Sequence, residues 1–155
     1  MLPPLSPDEL QRYDWQLSVP GFGAEGQEKL KAATVLVSRI GGVGGSVAMQ
    51  LAAAGVGRLI LTHAGNLRLD DLNRQLLMTT AGIDRPRVES AERWLKAFNP
   101  HVAIETAAEN ISEANAAKLV SRCDLVVGAA PLFSERLLMN REAVRQRKPL
   151  VDSAM

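Results

Sequence analysis

The stretch TVLVSRIGGVGGSVAMQLAAAG, residues 34–55, decides the fold of this chain. It begins with an apolar run rich in β-branched residues, continues through a glycine cluster, and ends in an apolar segment with helical spacing that closes on Gly55. This order predicts a strand, a tight turn and a helix. In a βαβ unit, such a turn lets backbone N–H groups and a helix N-terminus face an anion, usually a nucleotide phosphate. We therefore expect a ligand site at the glycine turn.

The glycine turn departs from the dinucleotide-binding fingerprint at one position. The three glycines of that fingerprint would fall on Arg39, Gly41 and Gly44. The first glycine normally permits the tight turn out of the strand. An arginine there either re-routes the loop or points into the space that a nucleotide would fill. The glycine turn alone therefore does not establish nucleotide binding.

Length and composition fit one domain with a full core, since the chain has 155 residues and 46% of them are hydrophobic. The formal net charge of +1 makes nucleic acid an unexpected partner. No run is long and apolar enough to span a bilayer, and the first residues lack the order of a signal peptide, so we expect a cytoplasmic protein without a membrane partner. One cysteine and two histidines leave too few soft ligands for a zinc site within the chain.

Strand-like and helix-like segments alternate along the chain. Residues 1–33 are expected to form a helical extension, with one helix starting at Ser6 and another at residues 24–32, and residues 34–155 to form a Rossmann-like domain. Strands are predicted at residues 34–37, 58–63, 101–107, 124–130 and 149–151, and later helices at residues 85–99, 112–120 and 132–147. This alternation predicts an α/β fold with a doubly wound, mainly parallel sheet and ligands beyond the carboxyl ends of the strands.

Several short motifs follow one another along the chain without a gap. They are RYDWQ at residues 12–16, GFGAEGQEKL at 21–30, AAAGVG at 52–57, LNRQ at 72–75, and the proline and VESA of residues 86–91. In order and spacing they resemble the ThiF/MoeB/HesA family of ubiquitin-activating-enzyme-like adenylyltransferases over essentially the whole chain. The resemblance implies a domain that binds Mg-ATP and adenylates the C-terminal glycine of a ubiquitin-like or sulfur-carrier protein. It also implies a homodimer, or a heterodimer with a paralogue.

The resemblance assigns a nucleotide site residue by residue. The cofactor-binding candidates are Gly41, Gly42, Gly44, His63, Asp71, Arg74, Gln75 and Arg87. Arg74 and Gln75 match the arginine–glutamine pair of the family, while Arg87 keeps the charge of a phosphate-binding lysine but not its geometry. Arg74 and Arg87 are the candidate catalytic residues. Together with Arg39 they are expected to edge one crevice.

Four positions depart from the family pattern. His63 stands at the place of an aspartate that binds ribose, Asp71 at that of an asparagine facing the phosphates, and Pro131 at that of an aspartate holding magnesium. Trp15 replaces an arginine that a neighbouring subunit contributes. A carboxylate at position 71 would repel a triphosphate by about 1–4 kcal/mol per charge pair at about 4 Å. The departures predict a catalytically degenerate domain that acts as a binding or dimerisation module.

Two alternatives stay open at this point. One is an active but divergent adenylyltransferase, in which Arg39 and Arg87 substitute for the metal and the lysine. The other is an NAD(P)-binding oxidoreductase, which the glycine turn alone suggests although no acidic residue ends the second strand.

The resemblance also bears on the end of the chain. Family members continue beyond the last strand into zinc-binding CxxC pairs, and we expect this C-terminal segment to be absent from the chain, which ends at Met155.

Overall fold

A five-stranded sheet forms the centre of the computed structural model, which describes residues 1–153. The strands are β1 (Thr34–Ser38), β2 (Arg58–Thr62), β3 (Ala103–Ala107), β4 (Leu125–Gly128) and β5 (Leu150–Asp152). Their order is β3-β2-β1-β4-β5, and all four pairings are parallel. The strand order reverses between β1 and β4, so the switch point of the sheet lies at the carboxyl end of β1. The predicted parallel, Rossmann-like α/β fold is confirmed.

Helices precede and connect the strands. Within residues 1–153 they are α1 (Pro7–Arg12), α2 (Asp14–Leu17), α3 (Gly23–Ala32), α4 (Gly42–Ala54), α5 (Arg87–Phe98), α6 (Ala116–Ser121) and α7 (Phe133–Arg145). Short 3-10 turns occur at Leu69–Asp71 and Thr80–Gly82. None of the helices in this part of the chain has both the length and the apolarity needed to cross a membrane.

The core consists of two apolar clusters, one on each face of the sheet. Alternate residues of β1 contribute to opposite clusters, because successive side chains of a strand point to opposite faces. Val35 and Val37 belong to the cluster that includes the buried residues of α4 and α5. Leu36 belongs to the cluster that includes those of α6 and Met139 of α7. Strand β1 is therefore covered on both sides, as its continuous apolar sequence requires.

The first predicted helix is two helices, and the cause is distant in sequence. The backbone leaves helical geometry at Tyr13 (φ −102°, ψ 13°), whose side chain is buried. Asn99 Nδ2 donates to the Tyr13 hydroxyl at 2.9 Å and to the carbonyl of Ala52 at 2.7 Å. Gln27 Nε2 donates to the carbonyl of Ala54 at 2.9 Å. These side chains satisfy the last carbonyls of α4 and hold the amino-terminal helices against its end.

Other predicted elements are present with shifted ends. The predicted helix at 112–120 starts only at Ala116, because residues 112–115 form a turn in which the Asn115 side chain accepts from the Ser112 N–H at 2.8 Å. The strand predicted at 124–130 is confined to Leu125–Gly128. Its last predicted residues instead reach the cavity described below, since Ala129 contributes to that cavity.

Candidate functional site

A cavity of about 710 Å³ opens where β1 and β2 end and α4 begins. Its volume lies within the range of about 300–1,000 Å³ that is common for small-molecule pockets. Seven of the eight predicted cofactor-binding residues line it: Gly41, Gly42, His63, Asp71, Arg74, Gln75 and Arg87. Arg39 and Pro131 line it as well. The structure thus brings together residues that the family resemblance assigned to one nucleotide site.

Gly44 is the one predicted site residue that does not line the cavity. A Cβ at this position would lie 3.0 Å from the carbonyl oxygen of Ser38 and closer still to that of Arg39. Real side chains essentially never approach backbone atoms so closely. Gly44 therefore serves the close packing of α4 on β1, which is the role of the third glycine in the fingerprint.

The N-terminus of α4 supplies hydrogen-bond donors at the cavity. Gly41 caps this 13-residue helix without a side-chain hydrogen bond. The first bond of the helical ladder runs from the Gly45 N–H to the Gly41 carbonyl at 3.0 Å, so the N–H groups of residues 42–44 precede it. Such N–H groups, together with the partial positive charge of a helix N-terminus, favour an anion.

Arg39 occupies the left-handed region, with φ +55°, at the fingerprint position that normally carries glycine. Its side chain runs across the switch point to the first turn of α7. There Nε and Nη2 lie 2.9 Å and 2.8 Å from Oε2 of Glu135, which is buried. From the sequence, this arginine could either re-route the loop or fill the space of a nucleotide. The loop keeps a tight turn, and the arginine lines the cavity while bound to Glu135.

Asp71 is a buried carboxylate held by four donors. Arg87 Nη2 and Gln75 Nε2 each lie 2.7 Å from one of its oxygens, Arg74 Nη2 lies 3.3 Å away, and the Arg68 N–H donates at 3.0 Å. Burial raises the pKa of Asp71, but the Arg68 N–H and the Arg87 guanidinium together hold this pKa below its ordinary value. The repulsion of a triphosphate expected from the sequence assumes that Asp71 is a free negative charge. The structure corrects this, because two guanidinium groups bind it.

The charges at the cavity nearly cancel. Three guanidinium groups, those of Arg39, Arg74 and Arg87, stand against the carboxylates of Glu135 and Asp71, which leaves one net positive charge. The cavity is therefore weakly attractive to an anion. The N-terminus of α4 adds the equivalent of about half a positive charge at its mouth.

His63 lies at the cavity wall directly after β2. Burial, followed by the charges of Arg87 and Arg39, lowers the pKa of His63 to about 4. Its imidazole is therefore neutral at pH 7. The buried Nδ1 atom has no hydrogen-bond partner within residues 1–153. A neutral imidazole can donate through one nitrogen and accept through the other, so His63 can bind a hydroxyl group of a ligand without adding charge.

The donor set at the cavity does not fit a magnesium ion. Asp71 and Glu135 are both engaged by arginines, and Pro131 contributes no oxygen ligand from its side chain. Magnesium prefers carboxylate and other oxygen ligands in near-ideal octahedral geometry. In the part of the chain that the structure describes, no group of three or more His, Cys, Asp and Glu side chains is placed to hold a metal.

Two further outcomes concern residues outside the predicted set. Trp15 does not line the cavity and is 90% exposed on α2.

Glu135 was not among the residues predicted from the sequence, although an arginine at a glycine position is a signal that a buried acidic partner is needed. Its place in the first turn of α7, after the strand that neighbours β1, was the available clue.

Comparison with known proteins agrees with this architecture. The family model described as "ThiF family" matches residues 13–155. The heterocyst HesA protein of Trichormus variabilis is 49% identical over 151 residues, which are 97% of this chain and 57% of that protein. The sulfur carrier protein adenylyltransferase of Thermus thermophilus is 40% identical over 148 residues, 96% of this chain and 55% of that protein.

A solved structure shows the same fold. The crystal structure of PaaA superimposes with a TM-score of 0.87 at 28% identity, covering 96% of this chain and 48% of that one. The chain thus spans little more than half the length of the two curated relatives. Because the family model covers most of the chain and both relatives exceed 30% identity, the conclusion from sequence and structure together is that the chain belongs to the ThiF family.

Proposed function

We propose that the chain is a nucleotide-binding domain that serves the activation of a sulfur-carrier or ubiquitin-like protein, and that its own adenylate-forming chemistry is impaired. The relative from T. thermophilus is a sulfur carrier protein adenylyltransferase, which supports ATP as the nucleotide and a carrier protein as the partner. The observation that carries the proposal is the cavity itself, where the N-terminus of α4 and three arginines meet at the carboxyl ends of β1 and β2.

The residues divide into three tasks in nucleotide binding. The N–H groups of residues 42–44 donate to the phosphate nearest the sugar. The neutral imidazole of His63 exchanges hydrogen bonds with the ribose hydroxyls, in place of a carboxylate. The side chains of Val43 and Val47, which line the cavity, supply apolar surface for the base.

Adenylate formation is impaired because the carboxylates of Asp71 and Glu135 are paired with the arginines of the cavity. Transfer of a nucleotidyl group requires that the charge on the leaving pyrophosphate be neutralised. The charges of Arg74 and Arg87 are partly neutralised by Asp71, and that of Arg39 by Glu135. The cavity therefore suits binding of a nucleotide better than stabilisation of a departing polyanion.

Calorimetric titration with ATP and with AMP, each with and without magnesium, tests the binding step. We expect micromolar binding that changes less than about threefold with magnesium, and a loss of about tenfold or more in Arg74→Ala, since hydrogen bonds to charged groups contribute about 1.5–3 kcal/mol. Arg68→Ala is the matched control, because Arg68 lies on the same loop, pairs with the exposed Asp70 and does not line the cavity. Absence of both heat and thermal stabilisation at millimolar nucleotide would contradict the proposal.

A second candidate function is an active, divergent adenylyltransferase. The observation in its favour is that Arg39, Arg74 and Arg87 all line one cavity, as the sequence analysis expected. Release of pyrophosphate from ATP that requires a purified sulfur-carrier protein, and that disappears in Arg74→Ala, would establish this function and rule out the impairment. The oxidoreductase alternative receives no support from the relatives, and β2 is followed by His63 and Ala64 rather than an acidic residue.

A further inference from the structure

We infer that Asp71 is a specificity-determining residue, which tunes the cavity to a nucleotide with a single phosphate group and against a triphosphate. The inference rests on the proposed function, namely that the cavity binds an adenine nucleotide. The carboxylate of Asp71 would then determine how many phosphate groups the bound nucleotide carries.

The position of Asp71 is fixed by neutral donors as well as by the arginines. It ends the 3-10 turn Leu69–Asp71 and is 5% exposed. The Arg68 N–H holds Oδ2 at 3.0 Å, and Gln75 Nε2 holds Oδ1 at 2.7 Å. Because these bonds do not depend on the arginines, they hold the carboxylate in place when a phosphate engages the arginines. Its negative charge stays at the cavity wall.

The two arginines beside Asp71 use part of their hydrogen-bond donors within the protein. Arg74 Nη1 donates to the carbonyl of Asp70 at 2.8 Å and to Oδ1 of Asn73 at 3.1 Å, while its Nη2 faces Asp71. Arg87 Nη1 donates to the carbonyl of Ala64 at 3.2 Å, and its Nη2 binds Asp71 at 2.7 Å. Both guanidinium groups keep free N–H groups, among them Nε of Arg87, which is buried without a hydrogen-bond partner within residues 1–153. These groups can bind a phosphate, but Asp71 reduces the positive field that the two arginines present to any further phosphates.

The remaining charge matches one phosphate group. Arg74, Arg87 and Asp71 together carry one net positive charge, and the Arg39–Glu135 pair adds none. A phosphate monoester carries about −1.5 to −2 charges at neutral pH. The N-terminus of α4 and this single positive charge compensate most of that. Each further phosphate of a triphosphate adds negative charge for which the cavity holds no additional cation, so the affinity gains nothing from it.

Titration calorimetry in the presence of a metal chelator tests the inference on the unmodified chain and on one isosteric variant. We expect AMP to bind the unmodified chain at least as tightly as ATP. Asp71→Asn keeps the size of the side chain and one of its two accepting oxygens, and it removes the charge. In this variant ATP should bind about tenfold tighter and AMP less than about threefold tighter, since one charge acts on more phosphate groups in ATP. Asp70→Asn is the matched control, because Asp70 is exposed and does not line the cavity. It should change neither affinity.

The outcomes separate this inference from the proposed function. If ATP binds the unmodified chain about tenfold tighter than AMP, or if Asp71→Asn leaves the ratio of the two affinities unchanged, the selectivity is refuted while nucleotide binding stands. If neither nucleotide binds, both are refuted. The ratio measured on the unmodified chain needs no variant, so it decides the matter even if thermal melting shows that Asp71→Asn fails to fold.

Discussion

Replacing Arg39 with glycine sets two large effects of opposite sign against each other. Glycine removes the strain of a left-handed arginine, which stabilises the fold by about 1–2 kcal/mol. It also leaves Glu135 without its partner, and that side chain is only 4% exposed. Removing one partner of a buried ion pair costs about 3–5 kcal/mol. The loss exceeds the gain, so Arg39→Gly should lower the free energy of unfolding by about 1–4 kcal/mol.

The double variant Arg39→Gly with Glu135→Gln isolates the ion pair. It removes both charges and keeps the relief of backbone strain, so it should be more stable than Arg39→Gly alone. Urea unfolding at pH 7 of the unmodified chain, both single variants and the double variant gives the coupling energy. An Arg39→Gly chain more stable than the unmodified one, or a double variant less stable than Arg39→Gly, would refute the reasoning that the pair compensates the strain.

Three further predictions concern other parts of the structure. Gly44→Ala should lower the free energy of unfolding by about 1–3 kcal/mol in urea titrations, since its Cβ would collide with backbone carbonyls. Gly42→Ala is the matched control and should lower it less, because a Cβ there lies 3.5 Å from its nearest neighbour, Cγ of Arg74. The pKa of His63 is lowered to about 4, so the unfolded chain binds its proton first, and stability should fall as the pH drops from about 6.5 towards 4. His63→Gln should flatten that fall, and an unchanged profile in urea titrations at several pH values would refute the assignment. Trp15→Ala should weaken self-association in sedimentation experiments without changing nucleotide affinity, because Trp15 is exposed and does not line the cavity. Equal association of the two chains would rule out Trp15 as an interface anchor.

Local patterns predicted the fold and the stretches that form the cavity, and the family resemblance supplied its individual residues. The β-branched run and glycine cluster of residues 34–55 define β1, the turn and α4, and the alternation of strands and helices determines the parallel sheet. Because parallel strands end at a common edge, residues after β1 and β2 had to meet there. His63 and Gln75 reach one cavity for this reason.

Pairings between distant residues were beyond the reach of those patterns. Arg39 and Glu135 are 96 positions apart, and Arg87 binds Asp71 across 16 positions. No periodicity or motif connects such residues, so the charge of Asp71 was judged without its partners. The break at Tyr13 has the same origin, since Asn99 is 86 positions away. Sequence therefore indicated which residues surround the cavity, and only the structure shows how much charge they present.

The anchoring of α4 at both ends has a mechanical consequence. Its 13 residues form a rod about 20 Å long, with the free N–H groups of residues 42–44 at one end and the side chains of Gln27 and Asn99 donating to the last carbonyls at the other. A force on the amino-terminal helices is thereby transmitted to the donors, because a helix bends little over this length. A partner that binds those helices and tilts α4 is therefore expected to alter the nucleotide affinity proposed above, and thermodynamic reciprocity requires that the nucleotide alter the affinity for the partner by the same factor.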